Sequence, residues 1–251
     1  MLNIVIPMAG LGSRFAKAGY QDPKPLIHVH AWPMIQIVIK NLTPRIPHRF
    51  IFICQEDHIQ HYALDKKLKQ WTNHAEIIAL SGLTEGATCT VLQAKSLINN
   101  EEPLMIANCD QYIDINIDDY LSAQHNGNVD GLIMTMRAND PKWSYVAFDE
   151  RGWINRVVEK EVISNEATVG IYYFHRGSDF VRGADQMMAA NKRVNGEFYV
   201  APVYNELIAE GKHISSYSIG SDEVGMYGLG TPEDLNRFLS LPISHQFLEK
   251  P

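Results

Sequence analysis

The sequence predicts an α/β protein with a mostly parallel sheet flanked by helices, and three observations carry that reading. Short apolar runs alternate with helical patterns through the first half. At the N-terminus an apolar strand runs straight into a glycine turn, Ile4-Val5-Ile6-Pro7-Met8-Ala9-Gly10-Leu11-Gly12-Ser13-Arg14-Phe15. A second buried strand, Leu104-Met105-Ile106-Ala107-Asn108, stops at Cys109-Asp110. That places a carboxylate at a strand's carboxyl end, where open α/β sheets keep their ligand groups.

The elements run in order along the chain. Residues 2–7 read as a strand, 33–42 as a helix opened by Pro33, and Arg49-Phe50-Ile51-Phe52-Ile53-Cys54 as a strand. A helix over about 57–70, a strand near 75–80 and a helix over 87–98 lead to the strand at 104–108. The second half is richer in strands, at Gly131 to Met136, Ser144 to Phe148, Trp153 to Glu159 and Thr168 to Phe174. Asp149-Glu150-Arg151-Gly152 suits a hairpin turn. Helices near 177–191 and 198–210, strands near 213–219 and 224–227, and a helix from Pro232 complete the pattern. No Gly/Ser/Pro-rich linker divides the chain. The expectation is one domain over 1–251, with a nucleotide-binding half at about 1–130 and an acceptor-binding half at about 131–251.

Bulk properties narrow the partners. A formal net charge of −7 argues against nucleic acid, and no apolar run is long enough to span a bilayer. No basic leader precedes the first strand, so a cytoplasmic protein is expected. The three cysteines, Cys54, Cys89 and Cys109, have no metal-ligand spacing and read as buried thiols. The pairs His28/His30 and His58/His61 each share a face but lack a third ligand.

The glycine turn and the cations just after it point to phosphate. Two glycines let the backbone pass close to an anion with several N–H groups turned towards it. Arg14, and Lys24 within Asp22-Pro23-Lys24-Pro25-Leu26, add fixed positive charge. The loop is not a Walker motif, which needs a Gly-Lys-Ser/Thr end. It is not a dinucleotide fingerprint either, because Phe15 stands where the third glycine belongs.

These residues resemble the G-x-G-S/T-R…P-K-P signature of the sugar-nucleotidyltransferases, the nucleotide-sugar pyrophosphorylases and the short bacterial cytidylyltransferases. The resemblance implies a Rossmann-like (GT-A-like) fold and transfer of NMP from an NTP, with CTP favoured, to a sugar phosphate or other small phosphomonoester. Pyrophosphate leaves, and the product feeds surface polysaccharide. Such a reaction needs no general base, because a phosphomonoester is largely ionised near neutrality. It needs positioning and charge neutralisation.

By the same resemblance, Arg14, Lys24 and Asp110 are catalytic, Arg14 on the outer phosphates and Lys24 between the triphosphate and the attacking group. Asp110 is the ligand of a catalytic Mg²⁺, which takes one or two carboxylates plus substrate phosphates. Ala9, Gly10, Gly12, Ser13 and Arg14 hold the triphosphate, and Thr84, Glu85 and Gly86 approach the base. Glu159, Lys160 and Gly170 bind the acceptor. The chain departs from the family at Glu161, where many sugar-specific members have proline. It departs again at Gly228, where members often carry a second metal-binding aspartate, leaving Asp222 or Glu223 to substitute. A non-catalytic nucleotide-binding regulator and a nucleotide-sugar-dependent glycosyltransferase are the alternatives. The latter wants an Asp-x-Asp motif, whereas the chain reads Asp110-Gln111-Tyr112.

Overall fold

The computed structural model describes residues 1–124 and 129–245. Strand β1 (Leu2–Met8) is buried almost throughout and feeds the glycine loop, after which the short helix α1 (Ser13–Lys17) begins. A 3₁₀ turn at Lys24–Leu26 and the two-residue strands β2 (His28–Val29) and β3 (Trp32–Pro33) lead to α2 (Met34–Leu42). Next come β4 (His48–Gln55), α3 (Glu56–Tyr62), α4 (Leu64–Trp71) and β5 (Ala75–Leu80). The single helix expected over 57–70 is two, because Ala63 adopts φ 48°, ψ 42° and breaks the backbone ladder. The expected helix over 87–98 is likewise α5 (Ala87–Val91) and α6 (Lys95–Ile98) joined by a 3₁₀ turn.

Strand β6 (Leu104–Ala107) is followed by β7 (Gln111–Ile113), a three-residue strand that sequence patterning passes over, and by α7 (Ile117–Ala123). The second half contains β8 (Gly131–Arg137), the hairpin β9 (Ser144–Phe148) and β10 (Ile154–Glu159), and β11 (Glu166–Phe174). It continues with α8 (Gly177–Ala189), α9 (Tyr204–Ala209), β12 (Ile214–Asp222), β13 (Gly225–Gly228) and α10 (Pro232–Leu239).

One sheet runs through both halves in the order β5-β4-β1-β6-β11-β8-β12-β13-β7, with the β9/β10 hairpin attached to β11. Most neighbours in that order are parallel; the exceptions are β11 against β6 and β8, and β7 against β13. This is the predicted α/β, Rossmann-like architecture. Helices cover both faces of the sheet's first half. Val5, Ile51 and Ile53 pack with α5, α6 and α8 on one side, while Ile4, Ile6, Phe50 and Phe52 pack with α2 and α4 on the other. Alternate residues of one strand facing opposite cores is the expected outcome of a two-residue period. Among the described residues no helix is long and apolar enough to cross a membrane.

Candidate functional site

The glycine loop leaves β1 at the carboxyl edge of the parallel block. Gly12 adopts φ 60°, a left-handed conformation that costs glycine nothing, and Lys24 lies against it. A Cβ on Gly12 would sit 3.1 Å from that of Lys24. The prolines beside Lys24 hold the backbone extended on its N-terminal side, with Pro23 at φ −62°, ψ 146°, and the turn is anchored by buried Pro25 and Leu26.

Lys24 Nζ donates to Asp110 Oδ2 at 2.9 Å, with both side chains less than a quarter exposed. Burial alone would lower the Lys24 ammonium; the Asp110 carboxylate, by charge and by the hydrogen bond, more than offsets this and raises it above its ordinary value. Asp110 ends the loop after β6, as its sequence position implied. Two further bonds fix it: Leu229 N–H donates to the Asp110 carbonyl at 2.8 Å, and the next strand, β7, pairs with β13. The side chain of Asn41 clamps β7 from the other side by exchanging 2.8 Å bonds with both backbone groups of Ile113.

Three cavities meet at Asn108. The first, about 480 Å³, is lined by Ala9, Gly10, Lys24, Thr84, Gly86 and Asp110, among others. It unites the glycine loop after β1 with two residues of the loop expected to touch the base. Gly12, Ser13 and Glu85 do not line it; the Glu85 carboxylate pairs with Arg193. Gly86 is required by the backbone. At φ 128° it lies under the 197–198 segment, through Phe198 N–H to Glu85 O (2.8 Å) and Thr88 N–H to Phe198 O (3.0 Å). Sequence reasoning missed Gln55, a buried amide at the end of β4. Its Nε2 donates to the carbonyls of Ala9 and Gly82, tying the two loops together. Cys109 also lines this cavity; burial pushes its thiol up to about 11, and that of Cys54 up to about 12. Cys89 is only half-buried, contrary to the expectation for all three thiols.

The second cavity, about 270 Å³, is lined by Asn108, Lys142, Trp143, Glu159, Gly170 and Tyr199, among others. Two of the three expected acceptor residues are here, and the third, Lys160, is not in the lining. Gly170 is there because a Cβ at that point would fall 2.0 Å from Asn108 Nδ2. Glu159, at 9 % exposure, accepts the Ser144 hydroxyl. Burial pushes its carboxyl above the usual range, against the opposing Ser144 bond and Lys160 charge. A raised acid favours the protonated fold, so Glu159 subtracts stability as pH rises from its unfolded value near 4.3 through the folded one. Glu159→Gln is therefore expected to gain in melting temperature relative to the parent between pH 4 and pH 7. Calorimetry at the two pH values checks it; a constant offset would contradict the assignment.

The third cavity, also about 270 Å³, brings together Arg14, Asp110, Gln111, Lys142, Asp222 and Asp234. Arg14 thus faces the Asp110 side. Glycine at 228 leaves space that the Asp234 carboxylate approaches: a Cβ on Gly228 would lie 3.7 Å from Asp234 Oδ2. Of the two acids expected as substitutes, Asp222 lines this cavity and pairs with Lys142, whereas Glu223 does not line it and pairs with Arg237. Among the described residues no group of three or more His, Cys, Asp or Glu is close enough to hold a metal by itself.

The fold and these loops define an α/β protein whose glycine turn, lysine and strand-end aspartate converge on one cleft. The family model described as nucleotidyl transferase matches residues 4–197, and the chain belongs to that family. It is similar to the crystal structure of a nucleoside-diphosphate-sugar pyrophosphorylase from Vibrio cholerae RC9, at 25 % identity and a TM-score of 0.78 over 95 % of this chain and 100 % of that one. It is 26 % identical over 178 residues to the mannose-1-phosphate guanylyltransferase catalytic subunit beta of Drosophila pseudoobscura pseudoobscura, covering 68 % of this chain and 47 % of that protein. It is 24 % identical over 241 residues to the bifunctional protein GlmU of Latilactobacillus sakei, covering 89 % and 48 %. The chain spans about half the length of these curated relatives.

Proposed function

We propose that the protein transfers a nucleotidyl group from an NTP to a small phosphorylated acceptor and releases pyrophosphate. The observation that carries this reading is the junction of three cavities at Asn108, two of which Asp110 also lines, beside the Lys24–Asp110 pair. A triphosphate in the first cavity and an acceptor in the second bring two anions to one place, where Lys24 supplies a fixed cation. Attack by the acceptor's phosphate oxygen on the α-phosphorus forms the new P–O–P bridge as the bond to pyrophosphate breaks. Glu159 takes polar groups of the acceptor, and Arg14, which lines the third cavity with Asp110, supplies a second cation where phosphates extend from the first cavity to that side.

The donors around the third cavity are hard carboxylate oxygens, Asp110 with Asp222 and Asp234, and that chemistry suits Mg²⁺. Asp110 would hold the ion with substrate phosphates, and the ion would neutralise charge on them. CTP is the donor, and a precursor of surface polysaccharide the product, that the resemblance to short cytidylyltransferases favours. The test is pyrophosphate release with Mg²⁺, each of the four NTPs and dTTP being crossed against sugar 1-phosphates and non-sugar phosphomonoesters. Release confined to one donor–acceptor combination is the expected result. Silence across the panel, in protein that binds a nucleotide, would instead favour a binding protein, the reading that Gly228 supports.

A further inference from the structure

Lys142, in the loop between β8 and β9, is a residue that neither the motifs nor the family resemblance single out. It lines both the second and the third cavity, as do Asn108 and Trp143. Its ammonium lies 3.4 Å from Asp222 Oδ2, 3.9 Å from Asp140 Oδ2 and 4.8 Å from the centroid of the Trp143 ring. Lys160, by contrast, holds its ammonium on the Tyr199 hydroxyl and 4.6 Å from that ring's centroid, outside the acceptor cavity's lining.

A second observation points to the same place. Gln111 is 5 % exposed and lines the third cavity, and its Nε2 is buried with no hydrogen-bond partner among the described residues. Its Oε1 already accepts from Asn108 Nδ2 at 3.4 Å. The open valence is therefore a donor, which an anionic oxygen satisfies and a cation does not. An unpaired buried donor is costly, and an anionic oxygen that reached it would relieve that cost.

We propose that Lys142 and Gln111 hold the phosphate of the acceptor, with Lys142 exchanging Asp222 for the phosphoryl oxygens as the acceptor enters. The inference rests on the nucleotidyl-transfer reading and adds to it which residues grip the attacking group. The exchange is favourable because an exposed ion pair such as Lys142–Asp222 is weak, whereas a phosphate dianion offers short charge-assisted bonds. Asp222 then competes with substrate and holds Lys142 close when the cavity is empty.

The test titrates inorganic phosphate by calorimetry into the full chain, in EDTA, with the triphosphate site filled by a non-cleavable α,β-methylene NTP. Lys142→Met is expected to weaken phosphate by about tenfold or more, and Gln111→Met by several-fold. Asp222→Asn is expected to tighten it by a few-fold, an opposite sign that a merely structural ion pair would not give. Lys160→Met should move it less than Lys142→Met. Undetectable phosphate binding in the parent, unchanged affinity in Lys142→Met, or weakening in Asp222→Asn would each overturn the proposal. Pyrophosphate release by the parent tests the underlying reading separately: a turning-over parent with a phosphate-competent Lys142→Met sinks this inference alone.

Discussion

Asp110→Asn is expected to lower pyrophosphate release by at least about 10²–10³-fold, the usual effect of removing one preorganised electrostatic group from a transition state. The carboxylate lines both the first and the third cavity, and it accepts the Lys24 ammonium at 2.9 Å. Asparagine keeps its size and can still accept from Lys24, so the melting temperature should fall by no more than about 4 °C, equivalent to about 1 kcal/mol for a chain this long. Lys24→Ala should cost activity similarly. The double variant should cost little more than either single one, because the two groups act as a unit. Since Asp110 holds Lys24 charged beyond its ordinary range, the rate should also show no alkaline loss from Lys24 below about pH 10. Steady-state rates on the four proteins, with melting curves alongside, decide the matter; additive losses would separate the roles of the two residues.

Gly86→Ala is expected to lose both stability and nucleotide binding. At φ 128° no alanine is comfortable, and its Cβ would lie 2.5 Å from the Phe198 carbonyl oxygen and 2.6 Å from the Phe198 nitrogen. These are backbone atoms on a paired segment, so neither side can yield by rotating a side chain. Backbone strain of this kind costs about 1–3 kcal/mol, and displacement of the 84–87 loop adds to it. The melting temperature should drop by roughly 5–10 °C, with NTP affinity reduced as the first cavity opens. Gly82→Ala is a useful contrast: it shares a positive φ, but its Cβ would meet nothing within 4 Å. It should show only the conformational part of the penalty. Equal losses in the two variants would mean that the Phe198 contact is unimportant.

The parts of the site that were legible in the sequence are those that local rules govern. The glycine turn after β1, the proline-flanked Lys24 and the strand-end Asp110 sit where a strand-to-loop pattern puts them. The order of strands and helices was readable for the same reason, since burial of alternate faces imposes a period. The features that stayed hidden depend on partners distant in sequence. Strand β7 is only three residues long and exists because β13 lies beside it. The break at Ala63 arises in a stretch whose composition is good for helix, so tertiary packing overrides propensity there. Gln55, Lys142 and Trp143 carry no motif at all, and their importance appears only when the loops are brought together. Glu85 shows the converse limit: it lies beside Gly86, which lines the first cavity, yet its side chain turns to Arg193.

The pairing of β7 with β13 has a consequence for how the chain is made. Residues 111–113 leave the ribosome well before 225–228, and at ordinary elongation rates the interval is roughly ten seconds. Through that time the strand following Asp110 lacks its β13 partner, and the contacts from Lys24 and Asn41 hold that stretch beside the glycine loop. The cleft is therefore completed late in synthesis, and chains stalled before β13 bear an unfinished one.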